Sequence, residues 1–149
     1  MNVPERTRIF ERLERCSELE YILIGDLRDL LQEPRNEETD RWILAVVDVL
    51  LETLPEAMQL KSDGGYMADI LEECPRCAEQ VARLQREHEH LVDVLRCYRD
   101  GLRRRRRDRA TELRLRAGLR EWVDAIVAFH HAENDLMQMA LNEELGTGD

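Results

Sequence analysis

Four stretches of this chain carry apolar residues alternately three and four positions apart, and no other feature limits the fold so strongly. That rhythm lays one apolar stripe along an α-helix, whereas strand side chains repeat every second residue. The first stretch runs from about Glu5 to Gln32 through Ile9, Leu13, Cys16, Leu23, Leu27 and Leu30, and stops before Pro34. The second begins near Asn36, a good N-cap, and carries Ile43, Val47, Leu50 and Leu54. Pro55 should kink this helix without necessarily ending it, and continuing the same stripe reaches Ala57 and Lys61. Ser62-Asp63-Gly64-Gly65 then breaks it, and Tyr66 to Glu73 reads as a short helical turn. The third helix starts at Pro75, a favoured first-turn residue, and reads Cys77, Val81, Leu84, His88, Leu91, Leu95, Tyr98, Leu102. The fourth, from about Thr111, reads Leu115, Leu119, Trp122, Ile126, Phe129, Glu133, Leu136, Ala140 and frays into Gly146-Thr147-Gly148-Asp149.

Helices with one apolar stripe each bury those stripes against one another, and short connections make neighbours antiparallel. The expected fold is an all-α, up-down-up-down four-helix bundle. Seven Gly and four Pro are too few for an all-β domain that turns every ~8–12 residues. No repeat or low-complexity linker divides the chain, so residues 1–149 read as a single domain. No apolar run reaches the ~18 residues of a membrane span, and the opening MNVPERTRIFER alternates charges where a signal peptide carries an apolar core. A cytoplasmic protein with no membrane partner is expected.

Cys16, Cys74, Cys77 and Cys97 are then expected as free thiols. Cys74-Pro75-Arg76-Cys77 has the spacing of a redox pair or half a zinc site, but no second CxxC or close His pair completes it. The net charge is −10, yet the stretch 99–120 holds ten Arg against Asp100, Asp108 and Glu112. One end of the molecule is therefore basic. The run Arg103, Arg104, Arg105, Arg106, Arg107 lacks interleaved aromatics and sits in an acidic protein, which speaks against a nucleic-acid partner. It reads as a solvated helix tip, or as a surface that meets an acidic protein partner. No Gly-rich phosphate loop, nucleophile elbow or ordered Ser/His/Asp set occurs, so the chain does not read as an enzyme.

Polar residues interrupt the stripes at four places, Glu20, Lys61, His88 and Glu133. Bundles bind cofactors through inward side chains of facing helices, so these positions are the candidate site. With hairpin tips near residues 36 and 109, Cys16 and Ala57 lie 20 and 21 residues from the first, and His88 and His130 each 21 from the second. Equal rise per residue puts Cys16, Ala57, His88 and the Phe129-His130 pair near one layer, with Glu20 and Lys61 about one turn away. His130 and His131 point about 100° apart, so only one of them faces a site.

The segments Gly64-Gly65-Tyr66-Met67-Ala68-Asp69-Ile70-Leu71-Glu72, Pro75-Arg76, Leu84-Gln85-Arg86-Glu87-His88-Glu89-His90-Leu91 and Ala132-Glu133-Asn134-Asp135-Leu136-Met137-Gln138, with the Gly146-Thr147-Gly148-Asp149 ending, resemble the hemerythrin-like (HHE cation-binding) domains. The resemblance covers nearly the whole chain. It implies an up-down bundle holding a non-haem di-iron centre through His, Glu and Asp, used for oxygen or nitric oxide binding or for redox and iron sensing. It places the third helix's Glu-His pair at Glu87-His88 and the fourth helix's carboxylate at Glu133 or Asp135.

The chain departs from that pattern at the metal. Cys16-Ser17 stand where the family has a first-helix His, and Ala57, Lys61 and Ser62 stand where it has the second helix's His and Glu. On the fourth helix Phe129 takes the inward position, although His130 to Asp135 keeps a His-x4-Asp spacing. The metal candidates are thus His88, His130, Glu133, Asp135 and Glu20, with Cys16 beside them. A di-iron centre takes about five to seven donors. The count allows one weakly held iron, but loss of both second-helix donors and the nearby lysine favour no cofactor. An unpaired buried charge is costly, so Lys61, Glu20, His88 and Glu133 could form a salt-bridged polar layer in the metal's place. Alternatively, Lys61 reaches water by snorkelling from the helix end. The functional expectations are a weakly metal-binding or metal-free hemerythrin-like protein and, alternatively, an interaction module that uses its Arg-rich tip.

Overall fold

The computed structural model describes residues 2–147. Gly148 and Asp149, part of the expected frayed end and of the hemerythrin-like ending, lie outside the described residues. The elements in order are α1 (Val3–Gln32), α2 (Glu37–Asp63), α3 (Tyr66–Glu73), a 3-10 turn (Pro75–Cys77), α4 (Ala78–Arg103) and α5 (Arg109–Thr147). Among the described residues no strand occurs, and no helix is long and apolar enough to cross a membrane.

Short polar side chains start the helices where the backbone N–H groups of a first turn lack partners. Asn2 and Glu5 form a reciprocal capping box on α1. Asn36 Oδ1 accepts from Thr39 N at 2.8 Å on α2, and Asp108 Oδ1 accepts from Thr111 N at 2.7 Å on α5. The hydrogen bonds from the Thr111 amide and hydroxyl hold the Asp108 carboxyl below its ordinary pKa. Pro55 lies inside α2, which continues to Asp63. The residue before Pro34, Glu33, leaves the helical region and ends α1.

The four long helices pack in the cyclic order α1, α2, α4, α5, and the α1–α5 seam is the thinnest. The buried apolar residues form one cluster, in which Leu27, Leu31, Val47, Leu50, Leu54, Leu95, Leu119, Ile126 and Phe129 are almost fully enclosed. Each such side chain contributes about 1.5–3 kcal/mol by leaving water. Trp122, buried on α5, donates from Nε1 to the Leu91 carbonyl at 2.8 Å and ties α5 to α4. The stripe on α1 is buried only from Glu20 onward, while Ile9, Leu13 and Cys16 are half-buried.

The arginine-rich end is built on helix C-termini, whose last carbonyls have no intrahelical donor and carry partial negative charge. Arg116 donates to Glu33 O at 2.9 Å and Arg120 to Leu31 O at 2.8 Å, closing α1. Arg107 donates to Leu102 O at 2.6 Å, closing α4, and lies 3.5 Å from Asp40 and 3.8 Å from Glu112. The five-arginine run is therefore not one surface: Arg103 to Arg106 are exposed, and Arg107 is turned inward.

The cysteines differ from expectation. Cys74 and Cys77 are paired as a disulfide, because the 3-10 turn brings their Cα atoms to 5.5 Å, within bonding range. Cys16 and Cys97 are free.

Candidate functional site

Lys61, on the last turn of α2, is buried and lies 2.9 Å from Glu133 Oε2 and 3.0 Å from Oε1 on α5. Tyr66, the first residue of α3, donates a short hydrogen bond to the same Glu133 Oε2. Its position follows from the Gly64-Gly65 turn: a Cβ on Gly65 would stand 2.6 Å from Leu60 O and 2.8 Å from Lys61 Cα. Only a residue without a side chain lets α3 return so closely over the end of α2. Burial and the adjacent Glu133 carboxylate raise the Tyr66 hydroxyl well above the ordinary phenol range, so it stays a donor.

A second pair lies beside the first. His130 Nε2 is 3.2 Å from Glu20 Oε2, joining α5 to α1. The other Glu20 oxygen, Oε1, is buried and has no hydrogen-bond partner among the described residues. Phe129 separates the pairs from His88, whose ring lies 5.3 Å from the Phe129 ring, and Lys61 Nζ stands 6.0 Å from the same ring. Burial, then the Lys61 ammonium, then His130 lower His88 to about 4, so it is neutral at pH 7. Burial, then Glu56 and Glu20, raise the Cys16 thiol.

Both pairs open into a groove of about 1170 Å³ along the thin α1–α5 seam. Ile9, Phe10, Leu13, Tyr21, Val127 and Met137 give it apolar walls, and Lys61, Glu133, Tyr66, Glu20 and His130 line it as well. Its charged lining is acidic on balance, six carboxylates to three Arg and Lys side chains, with His130 and His131 beside them. The geometry thus combines apolar walls with one unpaired, desolvated acceptor at Glu20.

The structure brings together Lys61 with Glu133 and Glu20 with His130; His88 lies against Phe129 and makes no hydrogen bond to Glu20, Lys61 or Glu133. His130 is the inward histidine of its pair, whereas His131 and Asp135 are exposed. Lys61 does not reach water along its stem, because Glu133 neutralises it inside. Sequence reasoning missed Tyr66; its signal was the Gly-Gly dipeptide, which allows a return tight enough to bring the next side chain back over Lys61.

The donors do not fit a di-iron centre. Both oxygens of Glu133 face the Lys61 ammonium, one of them also receiving Tyr66, and α2 offers a cation where a ligand is needed. Among the described residues the one group of three whose ligand atoms lie within 4.8 Å of one another is Cys74, Cys77 and Glu143, outside this layer. No family model, no curated protein and no solved structure matches the chain.

Proposed function

We propose that this chain is a single-domain, hemerythrin-like, up-down-up-down bundle of the cytoplasm. It works without the di-iron centre and without catalysis, as a module that binds a small amphipathic amine in the α1–α5 groove. The observation that carries the reading is Glu20, which lines a groove with apolar walls and whose Oε1 is buried and without a hydrogen-bond partner among the described residues. An orphaned buried acceptor costs ~1–3 kcal/mol, which a ligand's N–H donor recovers on binding. The acidic lining of the groove favours a cation, and the walls favour an alkyl or aromatic body. Loss of the metal is supported by Lys61, whose charge does for Glu133 what iron does in the family the sequence resembles.

Two measurements test the reading. Protein grown in iron-supplemented medium should carry no stoichiometric iron and show no oxo-bridge absorption; two irons per chain with such a band would overturn it. Titration of the nitrogen-15-labelled chain with hexylamine should shift groove resonances, with hexanoate silent and Glu20→Gln at least about tenfold weaker, one hydrogen bond to a charge being worth ~1.5–3 kcal/mol. Equal response to amine and carboxylate would refute the amine assignment.

A second reading rests on Arg104, Arg105 and Arg106, which are exposed and make no ion pair among the described residues. They are free to meet an acidic protein surface, with neither membrane nor nucleic acid required. Association that weakens steeply with salt and disappears on reversing these three charges supports that role; insensitivity to the reversal removes it.

A further inference from the structure

Cys74 precedes the 3-10 turn and Cys77 is its last residue, and Glu143 reaches them from α5, nearly seventy residues on in sequence (separation 69 from Cys74). Glu143 Oε2 lies 2.7 Å from Cys74 Sγ, while Oε1 pairs with Arg76 at 2.6 Å. A carboxylate has no attraction for a disulfide sulfur, which carries no proton. It is attracted to a thiol, or to a cation that it shares with thiolates. The ligand atoms of all three residues lie within 4.8 Å of one another, and the two cysteines are buried.

We propose that, in the dithiol state, Cys74, Cys77 and Glu143 form a zinc site. Two thiolates and a carboxylate are a donor set that zinc accepts, at ~2.3 Å to sulfur and ~2.0–2.2 Å to oxygen. Arg76 engages the oxygen of Glu143 that faces away from the sulfurs, which aims the other at them, as outer-sphere partners do for metal ligands. Two thiolates, one carboxylate, one zinc and one guanidinium also leave the cluster neutral. The fourth position opens onto a cleft of about 810 Å³ that Cys74, Arg76, Glu143, Asp69 and Glu73 line, where a water completes the tetrahedron.

The site forms by reduction followed by metal exchange. A phosphine takes oxygen from water to become the phosphine oxide, and its electron pair breaks the Cys74–Cys77 bond to give two thiols. Zinc then displaces both thiol protons, forming two S–Zn bonds, so affinity rises with pH.

The test uses the whole chain, reduced with a water-soluble phosphine and titrated anaerobically with cobalt(II), then zinc. Wild type should take up one cobalt per chain with thiolate-to-cobalt charge-transfer and tetrahedral visible bands, which one zinc displaces. Cys77→Ser should lose both bands. Glu143→Gln should bind at least about tenfold more weakly while keeping its helical circular dichroism. Because Glu143 is only half-buried, this variant remains informative if Cys77→Ser fails to fold. Reduced wild type that takes up no metal, or Glu143→Gln that binds as tightly as wild type, overturns the three-donor site.

Discussion

Lys61 is the chain's single lysine, and its ammonium is buried against Glu133, with the Tyr66 hydroxyl on the same carboxylate. Such a pair is costly to assemble but costlier to break, since removing one partner strands the other charge away from water. His88 is the titrating residue of the layer: burial, Lys61 on α2 and His130 on α5 hold it near 4. In the unfolded chain it titrates near ~6.5. Below that pH the unfolded state binds a proton that the folded state refuses, so this contribution to stability is full above about pH 6.5 and is lost as pH falls toward 4. Urea unfolding from pH 7.5 to 4.5 should show His88→Phe losing less stability than wild type, by about 2–3 kcal/mol at the acid end. Parallel curves for the two proteins would contradict the assignment. Gly65→Ala should cost about 1–3 kcal/mol in the same assay, because the added Cβ meets backbone rather than a flexible side chain.

The ends of the long helices are where arginine acts in this protein. Arg107→Ala removes the donor to Leu102 O and the neighbours of Asp40 and Glu112, and should lower stability by about 1–2 kcal/mol. The triple variant Arg104→Ala, Arg105→Ala, Arg106→Ala should stay within about 0.5 kcal/mol of wild type, as exposed side chains that make no ion pair among the described residues do. Thermal unfolding separates the two, and equal losses would show that the run acts as one patch. The long helices were legible in the sequence because each repeats one period for six or more turns, and Asn36 marked the start of α2. Arg107's inward turn was not legible. It depends on Asp40 of α2 and Glu112 of α5, and five identical letters carry no sign of which one faces in. The approach of Glu143 to Cys74 escaped for the same reason, being a contact between residues 69 apart in sequence, whereas the Cys74–Cys77 bond is local and its spacing was visible without its oxidation state.

At the scale of the whole molecule, four helices share one apolar core, and the thin α1–α5 seam exposes part of the ionic layer to a groove. The four polar interruptions were visible in sequence as breaks in otherwise apolar stripes, but their partners were not. Spacing gives level and face, whereas pairing depends on rotamers and on α3 folding back through Gly64-Gly65. The central claim is that Lys61 and Glu133 hold the layer together in place of a metal, and a double-mutant cycle tests it most directly. Lys61→Met, Glu133→Gln and the double variant are compared by urea unfolding at pH 7 without added metal. Lys61→Met should cost about 3 kcal/mol, with a coupling between the two positions of about 2 kcal/mol, so that the double variant is less destabilised than the singles predict. A Lys61→Met protein as stable as wild type, or more stable, with no coupling would contradict the account.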